Sequence, residues 1–142
     1  MATKEYKFEL KNKLSELKSL NRHLNYWCSS IGLEANAIAR INICLDELFT
    51  NIVYYGFDDG REHAVEFTLA GSNNFVTITI EDEAKPFNPL EKIDPEFPEN
   101  VEDAEIGGLG IFIIRKLMDS VTYERSQGKN KLTMKKKIQE KA

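Results

Sequence analysis

Glu47 and Asn51 stand four residues apart in a stretch where Ile38, Ile41, Leu45, Leu48, Ile52 and Val53 recur at helical spacing. One helical turn then separates a carboxylate from a carboxamide and projects both from the same face. That pair suits phosphoryl chemistry. A magnesium ion on nucleotide phosphates takes only a few protein oxygens, which an Asn can supply, while a neighbouring Glu handles a proton. The same spacing also fits a solvated helix face. Asp82 follows Val76, Ile78 and Ile80, where an alternating strand gives way to a loop. A carboxylate there can accept a hydrogen bond from an exocyclic amine such as that of adenine, or simply form a turn. Gly107, Gly108, Leu109 and Gly110 open a run in which Ile111, Ile114, Leu117 and Met118 keep helical spacing. Glycines at a helix entry let the backbone approach a ligand while unpaired N–H groups face it, and phosphate is the natural guest. A hinge of glycines would read the same way. The run is neither the dinucleotide fingerprint, because no strand leads directly into it, nor a P-loop, because no Lys-Ser or Lys-Thr follows.

These residues need elements to hold them. Tyr6, Phe8 and Leu10 alternate as a short strand over 5–10, and Leu14, Leu17, Leu20, Leu24, Trp27, Cys28 and Ile31 form an amphipathic stripe that Gly32 is placed to stop. Trp27 lies on that stripe and is expected to be buried. The Glu47 helix ends near Tyr55 and Gly56, before Asp58-Asp59-Gly60. The period then changes to two: Val65, Phe67 and Leu69, a turn at 71–74, and Val76, Ile78 and Ile80 form a hairpin. Val121 and Tyr123 suggest another strand, Gly128-Lys129-Asn130 a turn, and Leu132, Met134 and Ile138 a last strand. Between the hairpin and the glycines, residues 83–106 carry all four prolines and, from Glu91 to Glu105, seven acids, Glu91, Asp94, Glu96, Glu99, Glu102, Asp103 and Glu105. A stretch this long without a regular element reads as a lid, mobile when empty and ordered by nucleotide. The sum is a single α+β domain over 1–142, a two-layer sandwich with helices on one face of a mixed, mostly antiparallel sheet.

The 142 residues are 42% hydrophobic and 30% charged, which suits one folded domain and disfavours disorder. Nineteen Lys and Arg against 23 Asp and Glu give a formal charge of -4, no field that would draw in nucleic acid or anionic lipid. No apolar stretch approaches the length of a membrane span, and Lys4, Glu5, Lys7 and Glu9 leave no apolar core for a signal peptide, so a cytoplasmic setting is expected. Cys28 and Cys44 sit in helix-patterned segments without metal-ligand spacing and read as buried thiols.

Taken in order, Glu47-x-x-x-Asn51, Asp82 after a strand, and the Gly107-Gly108-Leu109-Gly110 run resemble the three nucleotide boxes of the GHKL ATP-binding superfamily. Glu47-Leu48-Phe49-Thr50-Asn51 with Tyr55-Gly56-Phe57, Asp82 with Pro86-Phe87-Asn88-Pro89, and Arg115-Lys116-Leu117-Met118-Asp119 after the glycines make the chain similar to its anti-sigma serine/threonine kinase branch. The resemblance runs from about residue 8 to residue 138. It implies ATP and Mg²⁺ as cofactors, with Asn51 on the metal and Glu47 orienting or deprotonating the attacking hydroxyl. Asp82 would read the adenine amine, Gly107 to Gly110 would border the phosphates with Gly108 and Gly110 cradling them, and Thr133 would offer a hydroxyl on the adenine side. It further implies transfer of the γ-phosphoryl group to a small anti-sigma antagonist protein, a sigma factor as a second partner, and a homodimer. Two positions depart from the pattern: Ala84 stands where Gly is usual two places after the Asp, and Tyr55 where His is common. The alternative is an interaction module that binds ATP or ADP and holds or releases a protein without phosphorylating it.

Overall fold

A computed structural model of the chain describes residues 4–71, 75–88 and 108–138. Five strands and three helices follow in the order β1 (Lys4–Lys11), α1 (Leu17–Ser30), α2 (Ala35–Tyr55), β2 (Ala64–Gly71), β3 (Phe75–Asp82), α3 (Gly108–Leu117), β4 (Ser120–Ser126) and β5 (Lys129–Lys137). A short 3₁₀ turn at Leu14–Glu16 leads into α1, so the Leu14 periodicity is helical in character but begins as a tighter turn.

Alternation decides which way each strand faces. Val65, Phe67 and Leu69 of β2, Val76, Ile78 and Ile80 of β3, and Leu132 and Met134 of β5 are buried, while the residues between them are exposed or half-buried. Leu20, Leu24, Trp27 and Cys28 of α1 and Ile41, Cys44, Leu45, Leu48 and Phe49 of α2 meet this face in one core cluster. The layer is tied by rings: Phe8 stacks on Phe67 at 4.9 Å, and Phe49 tilts against Phe67 at 6.1 Å. Trp27 is 4% exposed, as its place on the stripe requires.

Sheet order is β1-β2-β3-β5-β4, and all four described pairings are antiparallel. The α+β two-layer architecture matches the expectation, and the sheet expected to be mixed contains no parallel pair among the described residues. β5 slots between β3 and β4, because the chain passes through α3 to the far edge before turning back.

Two turns show why the elements end where they do. After α1, Gly32 takes φ +78°, its N–H donates to the Ser29 carbonyl at 3.1 Å, and the Leu33 N–H donates to the Cys28 carbonyl at 3.0 Å. That is a Schellman stop, which glycine adopts without strain. Between β4 and β5, Gln127 and Gly128 have φ of 53° and 76°, the two-residue hairpin turn whose twist matches the strands. The turn expected at Gly128-Lys129-Asn130 therefore lies one residue earlier, and Asn130 belongs to β5.

Cys28 and Cys44 are free and buried, and burial pushes both thiols up to about 12. No described helix is long and apolar enough to cross a membrane.

Candidate functional site

The site is built at the C-terminal end of α2 and the end of β3. α2 runs for 21 residues, with Ile41, Leu45 and Leu48 on its core side. That orientation carries Glu47 and Asn51 to the adjacent flank, where the Asn51 Nδ2 lies 3.5 Å from the Glu47 Oε1. Asn51 is 8% exposed, buried for a carboxamide, and with its nitrogen turned to Glu47 its carbonyl oxygen is the atom on offer to a ligand.

Asp82 closes β3 on the core-facing side, in phase with Val76, Ile78 and Ile80. Its Oδ1 accepts from the Ala84 N–H at 3.0 Å and from the Asn130 Nδ2 at 3.0 Å. Burial pushes its carboxyl above the ordinary value, against the opposing pull of Asn130, the Ala84 N–H and the charge of Arg125. Among the described residues, both hydrogen bonds to this carboxylate fall on one oxygen.

Asn130 is a candidate site residue, by its contact with Asp82, that spacing did not single out. It stands directly opposite Asp82 in the β3·β5 register and is 6% exposed. Its Nδ2 also donates to the carbonyls of Ala84 at 3.3 Å and Lys85 at 2.9 Å, and its Oδ1 accepts from the Tyr123 hydroxyl and, at 3.4 Å, from the Phe87 N–H. Arg125 donates from Nη1 to the Ala84 carbonyl at 2.7 Å. One side chain thus fixes the first residues after β3 onto β5. A clue was present in the sequence: Asn130, Leu132 and Met134 share a period of two, which puts Asn130 on the inner face.

Thr133 is placed elsewhere. It pairs with Thr79 and Thr122, three positions along β5 from Asn130, and odd spacing sends its side chain to the sheet face opposite Asp82. The hydrogen-bonding partner of Asp82 on the last strand is Asn130, and Thr133 does not join the cluster.

The loop after Asp82 is also held to α2. The Lys85 N–H donates to the Gly56 carbonyl at 3.0 Å, and a Cβ built on Gly56 would stand 3.0 Å from the Ala84 Cβ. Glycine at 56 makes room for the Ala84 methyl, which is 4% exposed. The methyl that departs from the usual glycine is therefore taken up in packing against the end of α2. From Gly56, Asn51 lies about 7.5 Å back along the helix and Glu47 about 13.5 Å, so the Asp82 cluster and the Glu47–Asn51 pair share one rigid rod.

α3 packs beside α2 and begins at Gly108, which puts Gly108, Leu109 and Gly110 in its first turn, where backbone N–H groups have no acceptor inside the helix. Of the segment read as a lid, residues 83–88 form the anchored start just described. The remainder and Gly107 lie outside the described residues.

A family profile for the histidine kinase-like ATPase domain matches residues 10–136. The chain belongs to that family. It is 31% identical over 113 residues to the serine/threonine-protein kinase BtrW of Bordetella bronchiseptica, covering 77% of this chain and 80% of the relative. It is 33% identical over 136 residues to the serine-protein kinase RsbW of Listeria monocytogenes serotype 4a, covering 89% and 83%. Among solved structures, the RsbU and RsbW domains of a Mycobacterium tuberculosis protein align with a TM-score of 0.68 at 17% identity. That alignment covers 98% of this chain and 34% of the other, about a third of its length, and supports the fold.

Proposed function

We propose that this protein is an ATP-dependent serine/threonine protein kinase of the anti-sigma regulatory type, acting in the cytoplasm on a small anti-sigma antagonist protein, with a sigma factor as a second partner. The observation that carries the reading is the Glu47–Asn51 contact on α2, the helix whose C-terminal end holds the loop that follows Asp82, in a chain whose relatives BtrW and RsbW are named protein kinases and are matched over most of their length. The names of BtrW and RsbW support protein kinase activity.

The residues suit the chemistry. Asp82, held by the Ala84 N–H and Asn130 through one oxygen, presents a carboxylate to a donor, as the exocyclic amine of adenine requires. A magnesium ion would be held by the Asn51 carbonyl oxygen together with phosphate oxygens. Among the described residues no cluster of three or more acidic, His or Cys side chains forms a dedicated cage, so the donor set fits an ion that arrives with its nucleotide. Bound there, the ion would neutralise phosphate charge. Glu47 accepts the proton of the serine or threonine hydroxyl as its oxygen bonds to the γ-phosphorus and the bond to the β-phosphate oxygen breaks, leaving ADP. Asn51, by donating to Glu47, aims that carboxylate.

Incubation of the full chain with γ-labelled ATP, Mg²⁺ and a candidate antagonist separates this from the alternative of a nucleotide-gated binding module. Label transferred to a serine or threonine of the antagonist is the expected result. Stable association with the antagonist, governed by nucleotide and without transfer, would favour the module.

A further inference from the structure

Asp82 stands directly opposite Asn130 in the β3·β5 register, and Asn130 directly opposite Arg125 in the β5·β4 register. A carboxylate, a carboxamide and a guanidinium thus form one row across three neighbouring strands. The row lies two residues along from Ile80, Leu132 and Tyr123, so it shares their face of the sheet. Asp82 and Arg125, two strands apart, have about 10 Å of sheet between their backbones. The Arg125 side chain crosses that gap: its Nη1 donates to the carbonyl of Ala84, two residues after Asp82, at 2.7 Å. Both backbone groups of Ala84 are then held. Its N–H donates to the Asp82 Oδ1 at 3.0 Å, and its carbonyl takes the Arg125 Nη1 together with the Asn130 Nδ2 at 3.3 Å.

The charges around Asp82 single out the same side chain. Burial pushes the Asp82 carboxyl up, and among the described residues the charge that opposes this is that of Arg125. Lys85 is turned to Asp58 at 2.7 Å, and its N–H takes the Gly56 carbonyl at the end of α2. Glu83 is exposed, and Glu81 lies on the opposite face of β3, with the Lys131 Nζ 3.9 Å away. The charge state of Asp82 matters to a base. An ionised carboxylate only accepts hydrogen bonds and so pairs with the amine of a 6-amino purine. A protonated one offers an O–H, which the carbonyl of a 6-oxo purine can take.

We propose that Arg125 is a positioning residue for base recognition: holding the Ala84 carbonyl from the row it shares with Asp82, its guanidinium fixes the turn after β3 and presents that carboxylate purely as an acceptor, so that the site takes a 6-amino purine and refuses a 6-oxo one. The inference rests on Asp82 as the reader of the base and adds the residue that acts through it.

The test is calorimetric titration of the full chain with Mg-ATP and with Mg-inosine triphosphate, from about pH 8 down to about pH 5.5. At the upper end the parent chain should prefer ATP by about ten-fold or more. That preference should narrow only as acid protonates Asp82. Arg125→Gln keeps a donor for the Ala84 carbonyl and loses the charge, so its preference should narrow at a pH higher by about half a unit or more. Arg125→Lys keeps the charge and should follow the parent profile. The ratio of two affinities in one sample does not depend on how much of a variant is folded, so a destabilised variant still reports. An Arg125→Gln profile that superimposes on the parent's, or an Arg125→Lys profile displaced as far as that of Arg125→Gln, overturns the proposal and leaves Asp82 as the base reader. A parent chain indifferent between the two nucleotides at every pH removes that reading of Asp82, and the role of Arg125 with it.

Discussion

Asn130 connects three segments through one carboxamide: β3 at Asp82, the following loop at Ala84, Lys85 and Phe87, and β4 through Tyr123. Truncating it leaves several buried groups without partners, and each such group costs about 1–3 kcal/mol. Asn130→Ala should therefore lower unfolding stability by about 2–4 kcal/mol in urea titration and weaken ATP binding, because Asp82 loses the neighbour that orients it. Thr133→Ala, on the opposite face of the sheet, should shift stability by about 0.5 kcal/mol or less and leave ATP affinity unchanged by calorimetry. The contrast also marks what was legible. Glu47, Asn51 and Asp82 were legible as candidates once residue type and local spacing were joined to the order of the three motifs along the chain. The partner of Asp82 was not, because it depends on the register between β3 and β5, nearly fifty residues apart. A turn read one residue too late then displaced Asn130 from its strand.

At the scale of elements, α2 acts as the ruler of the site. Its apolar stripe fixes its rotation against the sheet, and its last residue, followed by Gly56, fixes how closely the loop after β3 approaches. A Cβ at position 56 would stand 2.6 Å from the Ile52 carbonyl oxygen and 3.0 Å from the Ala84 Cβ, so neither backbone nor loop has room for it. Gly56→Ala should cost about 1–3 kcal/mol by overpacking. A Gly56→Ala/Ala84→Gly pair should recover part of that loss, which thermal unfolding of the two variants will show. The helices were legible because α1 and α2 are long and strongly periodic, and Gly32 marked the stop of α1 by the φ +78° it adopts. Why position 56 needs glycine was not legible, since the reason is a contact with a loop 28 residues further on.

For the whole molecule, pattern alone reached the α+β class and the helices on one face, because burial enforces period two in strands and 3.6 in helices. Strand order was out of reach: β5 lies between β3 and β4, a non-local choice that no window of sequence encodes. The arrangement matters for function because it puts Asp82 of β3 beside Asn130 of β5 and ties both to the end of α2, while Glu47 and Asn51 sit further back on the same helix. Binding and chemistry are thus assigned to different residues on one rigid frame, and a single substitution can separate them. The decisive measurement is phosphoryl transfer from labelled Mg-ATP to the antagonist by the Glu47→Ala variant, made alongside its ATP affinity. Transfer should fall by about a hundred-fold or more, as expected for loss of a general base, while ATP affinity stays within a few-fold of the parent chain. Undiminished transfer, or a loss of binding as large as the loss of transfer, would contradict a catalytic role for Glu47.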